Sequence, residues 1–160
     1  MKKVLVAYIS STGTTKQMAE IIAEGVRIAG LEANVVNVAT INTKEDLIGY
    51  DGYIFGCPTY HLDMPEPFRE FLSLAEAALL AGKVGGAFDC RVHPSSGEGS
   101  AASLIYDFME SRCGILMTNL GPFDLKPDWI EAQGETIDTF EGFRACQDYG
   151  KAVGEMALAR

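Results

Sequence analysis

The chain has 160 residues, 48% hydrophobic and 22% charged, which is typical of one globular domain spanning 1–160. Its formal net charge of −9 repels nucleic-acid phosphates, which argues against DNA or RNA binding. The charge favours protein partners with a basic face; the alternative is that it serves solubility alone. No apolar run approaches the roughly 20 residues that span a bilayer and no signal peptide is evident, so we expect a cytoplasmic protein without membrane insertion.

Short apolar runs alternate with helical periodicity in the first third of the chain. Residues 4–8 predict a strand, and the apolar face from Met18 to Ala29 predicts a helix with Gly30 as its C-cap. Two further strands are predicted at 33–38 and at 52–56.

The same alternation continues to the end of the chain. We predict strands at 84–88 and 115–117 and a loop over 118–137. One helix, ended by Gly82, has an apolar face of Phe68, Phe71, Leu72, Ala75 and Leu79, and the next, capped by Gly114, has a face of Leu104, Ile105, Phe108 and Met109. The last helix begins at about Asp138, in a possible capping pattern, and its apolar face is Phe143, Cys146, Val153 and Met156. Trp129 is interpreted as a hydrophobic anchor of the long loop.

Strands that alternate with helices predict an α/β fold, with a parallel sheet covered by helices on both faces. In such sheets ligands bind beyond the carboxyl ends of the strands. The loops expected to form a site are therefore 9–15, 57–64 and 89–99.

The four cysteines are Cys57, Cys90, Cys113 and Cys146. They form no CxxC pair, and neither histidine lies near a cysteine at a metal-binding spacing. We predict buried free thiols, and no zinc, iron–sulfur or other metal site.

The first loop is rich in hydroxyl groups and lies where a predicted strand passes into a helix. A helix N-terminus presents unpaired N–H groups and a partial positive charge, and hydroxyl groups would complete a site for an anion. The alternative is simple capping, since 14–17 forms a capping box, although that explains one hydroxyl and not five. The residues of this loop are Ser10, Ser11, Thr12, Gly13, Thr14 and Thr15.

Several other phosphate-binding motifs do not fit. The order 13–16, Gly-Thr-Thr-Lys, is wrong for a Walker loop, and a dinucleotide fingerprint needs three spaced glycines. A Cys-x5-Arg phosphatase is excluded because, counting from Cys57, Asp63 stands at the position of the arginine. A receiver domain would need acidic residues where Tyr8 and Ile9 stand.

Residues 10–15, Ser-Ser-Thr-Gly-Thr-Thr, resemble the phosphate-binding loop of flavodoxins, (Ser/Thr)-x-(Ser/Thr)-Gly-x-Thr. The order of elements and loops extends the resemblance over essentially the whole chain. It implies a flavodoxin-like doubly wound sheet of five parallel strands in the order 2-1-3-4-5. It also implies FMN as the cofactor, with its 5′-phosphate in the first loop.

The second loop resembles the Gly-Ser-Pro-Thr turn of flavodiiron flavodoxin modules and of FMN-dependent quinone reductases. Its predicted flavin contacts are Cys57, Pro58, Thr59, Tyr60 and His61. Pro58 stiffens the turn, Thr59 supplies a donor, and Tyr60 or His61 forms a wall for the ring. The alternative is an ordinary turn with surface aromatic groups.

The third loop resembles flavodiiron modules in its Ser-Gly-Glu at 96–98, without the tryptophan that often precedes it. The predicted contacts are Asp89, Cys90, Arg91, Val92, Ser96 and Gly97. Arg91 and His93 stand where long-established flavodoxins usually place aromatic and acidic residues. Close to flavin N1 they would stabilise the reduced anion and raise the potential; alternatively Arg91 is solvated and His93 belongs to a turn.

The resemblance implies an FMN-binding electron carrier for protein redox partners with basic docking faces, with no catalytic residue. An FMN-dependent NAD(P)H:quinone-type reductase is the alternative, which would make the protein an enzyme. A flavin-free interaction domain also stays open, because a fold does not determine a function.

Overall fold

A computed structural model describes residues 1–9, 13–59, 64–90, 100–125 and 140–160. The strands are β1 Lys3–Tyr8, β2 Glu32–Asn37, β3 Gly52–Pro58, β4 Val84–Cys90, β5 Leu116–Met117 and β6 Phe123–Leu125. The helices are α1 Gly13–Ile28, α2 Glu66–Ala77, α3 Ala101–Ser111 and α4 Phe140–Leu158. Two 3-10 turns, Val38–Thr40 and Lys44–Leu47, lie between β2 and β3.

The sheet is parallel and has the order β2-β1-β3-β4-β5, which confirms the predicted order 2-1-3-4-5. The fifth position is divided between two short strands, because β5 pairs with the start of β4 and β6 with its end. The prediction of an uninterrupted loop over 118–137 is therefore wrong at Phe123–Leu125. Strand β6 follows Pro122 directly and has only three residues, which are too few to show the alternation of apolar and polar residues that marks a strand.

Each face of the sheet has its own hydrophobic core, as predicted for a sheet with helices on both sides. Val4 and Val6 of β1 pack on the face that carries α1 and α4. Leu5 and Ala7 pack on the face that carries α2 and α3. This double burial explains the continuous apolar run of β1, since both faces of a strand in such a sheet are excluded from water.

The second helix ends earlier than the sequence predicts. Its last residue is Ala77, and Leu79 lies beyond it with φ +59° and is 87% exposed, so Leu79 is not part of the buried face. Gly82 has φ +85° in the following turn rather than at the helix end. The apolar pattern misleads here because four alanines and leucines in a row (77–80) fit a helix and a turn equally well.

The other predicted helices form, but fewer of their apolar residues are buried than the sequence predicts. Gly30 has φ +104° just after α1, as predicted for its C-cap, and Gly114 has φ +69° in the turn after α3. Leu104 and Phe143 are 40% and 42% exposed, because each lies at the edge of its helix's buried stripe. The capping pattern predicted at Asp138 lies outside the described residues.

The four cysteines are free and buried, as predicted. Among the described residues there is no group of three or more possible metal ligands of the His, Cys, Asp and Glu types. Over the same residues, no helix is both long and apolar enough to cross a membrane.

The hydroxyl of Tyr149 in α4 fills the gap between β5 and β6. Ala87 pairs with Phe55 of β3 on one side but has no strand partner on the side of β5 and β6. Its N–H donates to the Tyr149 oxygen at 3.0 Å. The carbonyl oxygens of Gly121 and Ala87 lie 2.8 and 3.1 Å from the same hydroxyl. The Tyr149 ring stacks on Phe123 of β6, with centroids 5.1 Å apart.

Tyr149→Phe is expected to lower the free energy of unfolding by about 1–3 kcal/mol, because it leaves buried backbone groups of β4 without a partner. Urea denaturation measures the change. The control is Tyr50→Phe, which removes a hydroxyl whose bond to Asn34 is exposed and should change stability by less than about 0.5 kcal/mol. Equal effects of the two variants would contradict this role of Tyr149.

Candidate functional site at the carboxyl edge of the sheet

Four strands end at one edge of the sheet. Tyr8 of β1 is in register with Gly56, Pro58 of β3 with Cys90, and Cys90 of β4 with Leu125 of β6. The segments predicted to bind a ligand follow the ends of β1, β3 and β4, so the topology brings their starting points together.

The first loop leads into α1, whose first turn contains Gly13, Thr14 and Thr15. Both threonines are buried, Gly13 and Lys16 are exposed, and this turn carries no acidic side chain. Threonine hydroxyls and the N–H groups of a helix start are a donor set that suits a phosphate dianion. The predicted contacts Ser10, Ser11 and Thr12 lie outside the described residues.

The second loop begins with a close contact between β3 and β4. A Cβ atom at Gly56 would lie 2.3 Å from the ring of Phe88, its register partner, so a larger residue would displace that ring. Cys57 and Pro58 are the last residues of β3, and Cys57 is fully buried. The predicted contacts Tyr60 and His61 lie outside the described residues.

Thr59 uses both of its donors inside the protein. Its backbone N–H donates to the carbonyl oxygen of Cys90 at 3.1 Å, and its hydroxyl donates to Asp89 Oδ2 at 2.5 Å. The same hydroxyl oxygen accepts the N–H of Ala101 at 3.1 Å. Thr59 therefore joins the ends of β3 and β4 to the start of α3.

The start of α3 is held by three side chains. Ser100 is its N-cap and accepts the N–H of Ser103 at 3.0 Å, while Ala101 donates to Thr59 and Ala102 donates to Asp89 Oδ2 at 3.2 Å. Ser100 was not predicted as a site residue. The signal was available, because a serine directly before an apolar helical pattern is a typical N-cap.

Asp89 and Cys90 belong to the end of β4 and not to the third loop. The two residues are 0% and 2% exposed, so neither side chain is open to solvent at the edge of the sheet. Burial, and then the charge of Asp89, raise the pKa of the Cys90 thiol to about 12. The remaining predicted contacts of the third loop, Arg91, Val92, Ser96 and Gly97, lie outside the described residues, as does His93.

Asp124 of β6 also lies at this edge and was not identified from the sequence. It is the register partner of Asp89. Burial, followed by the neighbouring Asp124 carboxyl, raises the pKa of Asp89 to about 8, well above the usual range of an aspartate. The hydrogen bonds from Thr59 and Ala102 oppose this shift but do not outweigh it.

Comparison with known proteins defines the class of this fold and site. The family model for flavodoxin matches residues 6–90, from within β1 to the end of β4. The chain belongs to the flavodoxin family. Flavodoxins are FMN-binding proteins that carry electrons for protein partners, which confirms, for the family, FMN as the cofactor.

Two curated relatives have different names. The chain is similar to a flavodoxin of Clostridium saccharobutylicum, with 33% identity over 87 residues that cover 54% of each chain. It is also similar to an NAD(P)H dehydrogenase (quinone) of Acidithiobacillus ferrooxidans, with 32% identity over 133 residues covering 68% of this chain and 66% of that protein. The chain thus spans between about half and two thirds of the length of these relatives.

Solved structures share the fold at low sequence identity. A flavodoxin from the domain Archaea matches with a TM-score of 0.80 and 22% identity, over 98% of this chain and 99% of that one. The flavodiiron protein from Giardia intestinalis matches with a TM-score of 0.76 and 20% identity, over 99% of this chain and 37% of that one.

Proposed function

We propose that this chain, as one domain over 1–160, is an FMN-dependent electron carrier that passes electrons between protein redox partners. The observation that carries the proposal is the extent of the family match. Residues 6–90 include the ends of β1, β3 and β4, from which the three predicted loops start. They also include the first turn of α1, into which the first loop leads.

The phosphate of FMN would lie at the start of α1. Gly13, Thr14 and Thr15, together with 10–12, would donate hydrogen bonds to it, and the absence of an acidic side chain in this described turn supports that assignment. The ring would lie between the second and third loops, against 57–61 and against 89–92, 96 and 97. When bound, FMN supplies the redox chemistry.

Thr59 would act by positioning the second loop. Because its N–H and hydroxyl are both engaged within the protein, the donors available to the flavin would be other groups of the loop. The hydrogen bonds of Thr59, from its N–H to Cys90 and from the N–H of Ala101 to its hydroxyl, would keep the second loop and the start of α3 at a constant separation. A rigid frame of this kind lowers the entropy that is lost when a ligand binds.

The charge of the chain supports protein partners with basic docking faces. At a net charge of −9, long-range attraction speeds encounter with a positively charged surface and weakens as salt is added. The same charge disfavours the anionic NAD(P)H, so we rank a carrier above an enzyme.

A reductase that oxidises NAD(P)H directly is the second candidate. It is favoured by the 32% identity with a protein named NAD(P)H dehydrogenase (quinone), whose match covers 68% of this chain. The resemblance of the second loop fits both functions, so kinetics must separate them.

The test uses the purified protein in two steps. The visible spectrum should show bound flavin, or added FMN should restore it; a colourless protein that takes up no FMN contradicts both functions. Rapid mixing with NADPH should then leave the flavin oxidised unless a reductase is added. Fast bleaching by NADPH alone would instead establish the reductase.

A further inference from the structure

A buried and a half-buried carboxyl group lie beside each other at the edge of the sheet where we place the flavin. Asp89 in β4 and Asp124 in β6 are register partners in parallel strands, so their side chains point to the same face, about 5 Å apart at the backbone. Asp89 is fully buried, and Oδ1 of Asp124 is a buried atom. The family resemblance assigns no role to Asp124, and for Asp89 it implies only a flavin contact.

The two oxygens of Asp89 have different surroundings. Oδ2 accepts two hydrogen bonds, from the Thr59 hydroxyl at 2.5 Å and from the Ala102 N–H at 3.2 Å. Oδ1 is buried and accepts no hydrogen bond from the part of the chain that the structure describes. A buried oxygen without a donor destabilises the fold, and a proton on it that bridges to Asp124 removes that cost.

The other described groups around Asp89 supply no positive side chain. The Cys57 thiol is its register partner on β3, and the first turn of α3 presents N–H groups without an acidic residue. Cys90, the next residue, packs in the core on the other face of the sheet. Two like charges at this separation in a buried site cannot both form, so one of the carboxyl groups keeps its proton. The raised pKa of Asp89 agrees with this.

We propose that Asp89 and Asp124 share one buried proton, and that this proton holds Thr59 and the start of α3 in the arrangement that binds FMN. The second part rests on the proposed function. Asp89 and Asp124 are positioning residues, because their side chains act on the ligand through Thr59 and α3 and do not contact it.

The consequence is that FMN affinity decreases at alkaline pH. Loss of the shared proton leaves two adjacent carboxylates, whose repulsion pushes β6 away from β4. The hydrogen bonds from Thr59 and Ala102 are stronger to a carboxylate, so these groups follow the displaced Asp89 side chain and leave the positions that bind FMN. Since Asp89 has its pKa raised to about 8, affinity is constant below that pH and falls by up to about tenfold per pH unit above it.

The stability of the ligand-free protein also depends on whether this carboxyl pair holds its proton. Between the unfolded pKa of about 3.9 and the folded value, the native chain holds a proton that the unfolded chain has lost. The contribution of this pair to stability is therefore largest at low pH and decreases as the pH rises towards about 8.

Carbon-13 NMR of the aspartate carboxyl groups in the ligand-free protein would detect the proton directly. We expect the Asp89 signal of the wild type to remain that of a protonated acid at about pH 6, two units above the usual aspartate value. An Asp89 signal that titrates near its usual pKa would overturn the proposal, whatever the protein does with FMN.

The link to the ligand is tested by FMN titrations from about pH 6 to about pH 9.5 with wild type and Asp89→Asn. The amide of the variant can accept from Thr59 and Ala102 through its oxygen and donate towards Asp124, so it mimics the protonated acid. Its affinity should change less than about threefold over the range in which the wild type loses about tenfold or more. Asp107→Asn, an exposed residue of α3, is the control and should follow the wild type.

The outcomes are distinguishable. Identical pH profiles for wild type and Asp89→Asn, with a protonated Asp89 seen by NMR, would overturn the coupling to the flavin site and leave FMN binding intact. A wild type that binds no FMN at any pH would instead overturn the proposed function, while the NMR titration still decides whether the proton is shared. If Asp89→Asn fails to fold, Asp124→Asn replaces it in the same titration.

Discussion

Gly150→Ala is expected to lower the free energy of unfolding by about 3–5 kcal/mol, a large part of the stability of a domain of this size. Helices α1 and α4 approach so closely that a Cβ at Gly150 would lie 1.8 Å from the carbonyl oxygen of Ile22. The contact is reciprocal, since a Cβ at Gly25 would lie 1.9 Å from the carbonyl oxygen of Gln147. Backbone atoms cannot rotate away, so the helices must separate.

Gly154→Ala is the matched control on the same helix. Its Cβ would meet Ala29 Cβ at 3.0 Å, Leu31 Cδ1 at 3.2 Å and Val26 Cα at 3.4 Å, contacts that a shift of a few tenths of an ångström relieves. Both substitutions gain about 1 kcal/mol of helix propensity, so the difference between them measures the backbone contact. We expect Gly154→Ala to change stability by less than about 1 kcal/mol in urea denaturation. Equal losses for the two variants would contradict the close approach of α1 and α4.

Thr12→Asp is expected to weaken FMN binding by about 100-fold or more. Thr12 directly precedes α1 in the chain, at the position proposed for the FMN phosphate. Two unit charges about 5 Å apart repel by about 3 kcal/mol at an effective dielectric constant of about 20, and the phosphate carries more than one charge. Fluorescence titration of FMN into the ligand-free protein measures the change.

Thr12→Asn is the control for Thr12→Asp because it has the same shape and no charge. Asparagine and aspartate are both favourable just before a helix, so neither variant should lower the stability of the ligand-free protein. The neutral variant should bind FMN within about tenfold of the wild type. If both variants bind FMN like the wild type, the phosphate is not held at the start of α1.

Strands β1 to β4 and helix α1 could be predicted because their apolar patterns are clear. Strand β1 is apolar throughout, and α1 repeats its buried residues over 16 positions. The failures lie where a pattern is short or admits two structures. Strand β6 has three residues, and the run that ends at Leu79 fits helix and turn alike.

For the candidate site, sequence motifs predicted which segments would meet but not what their side chains do. The loops after β1, β3 and β4 start from one edge, as a parallel sheet requires. The sequence offered Thr59 as a donor to a ligand, whereas the structure uses both of its donors to join β3, β4 and α3. Hydrogen bonds between residues 30 or more positions apart leave no local pattern in a sequence.

The amino-acid sequence alone determined the class of fold, the order of the elements and the family, because hydrophobic periodicity and a phosphate-loop motif are local signals. Only the tertiary structure decided that Asp89 lies beside Asp124 and that the hydroxyl of Tyr149 fills the gap in the sheet. Both depend on how β6 and α4 pack against β4. That packing minimises the exposed surface of the whole chain, and no short segment contains the information for it.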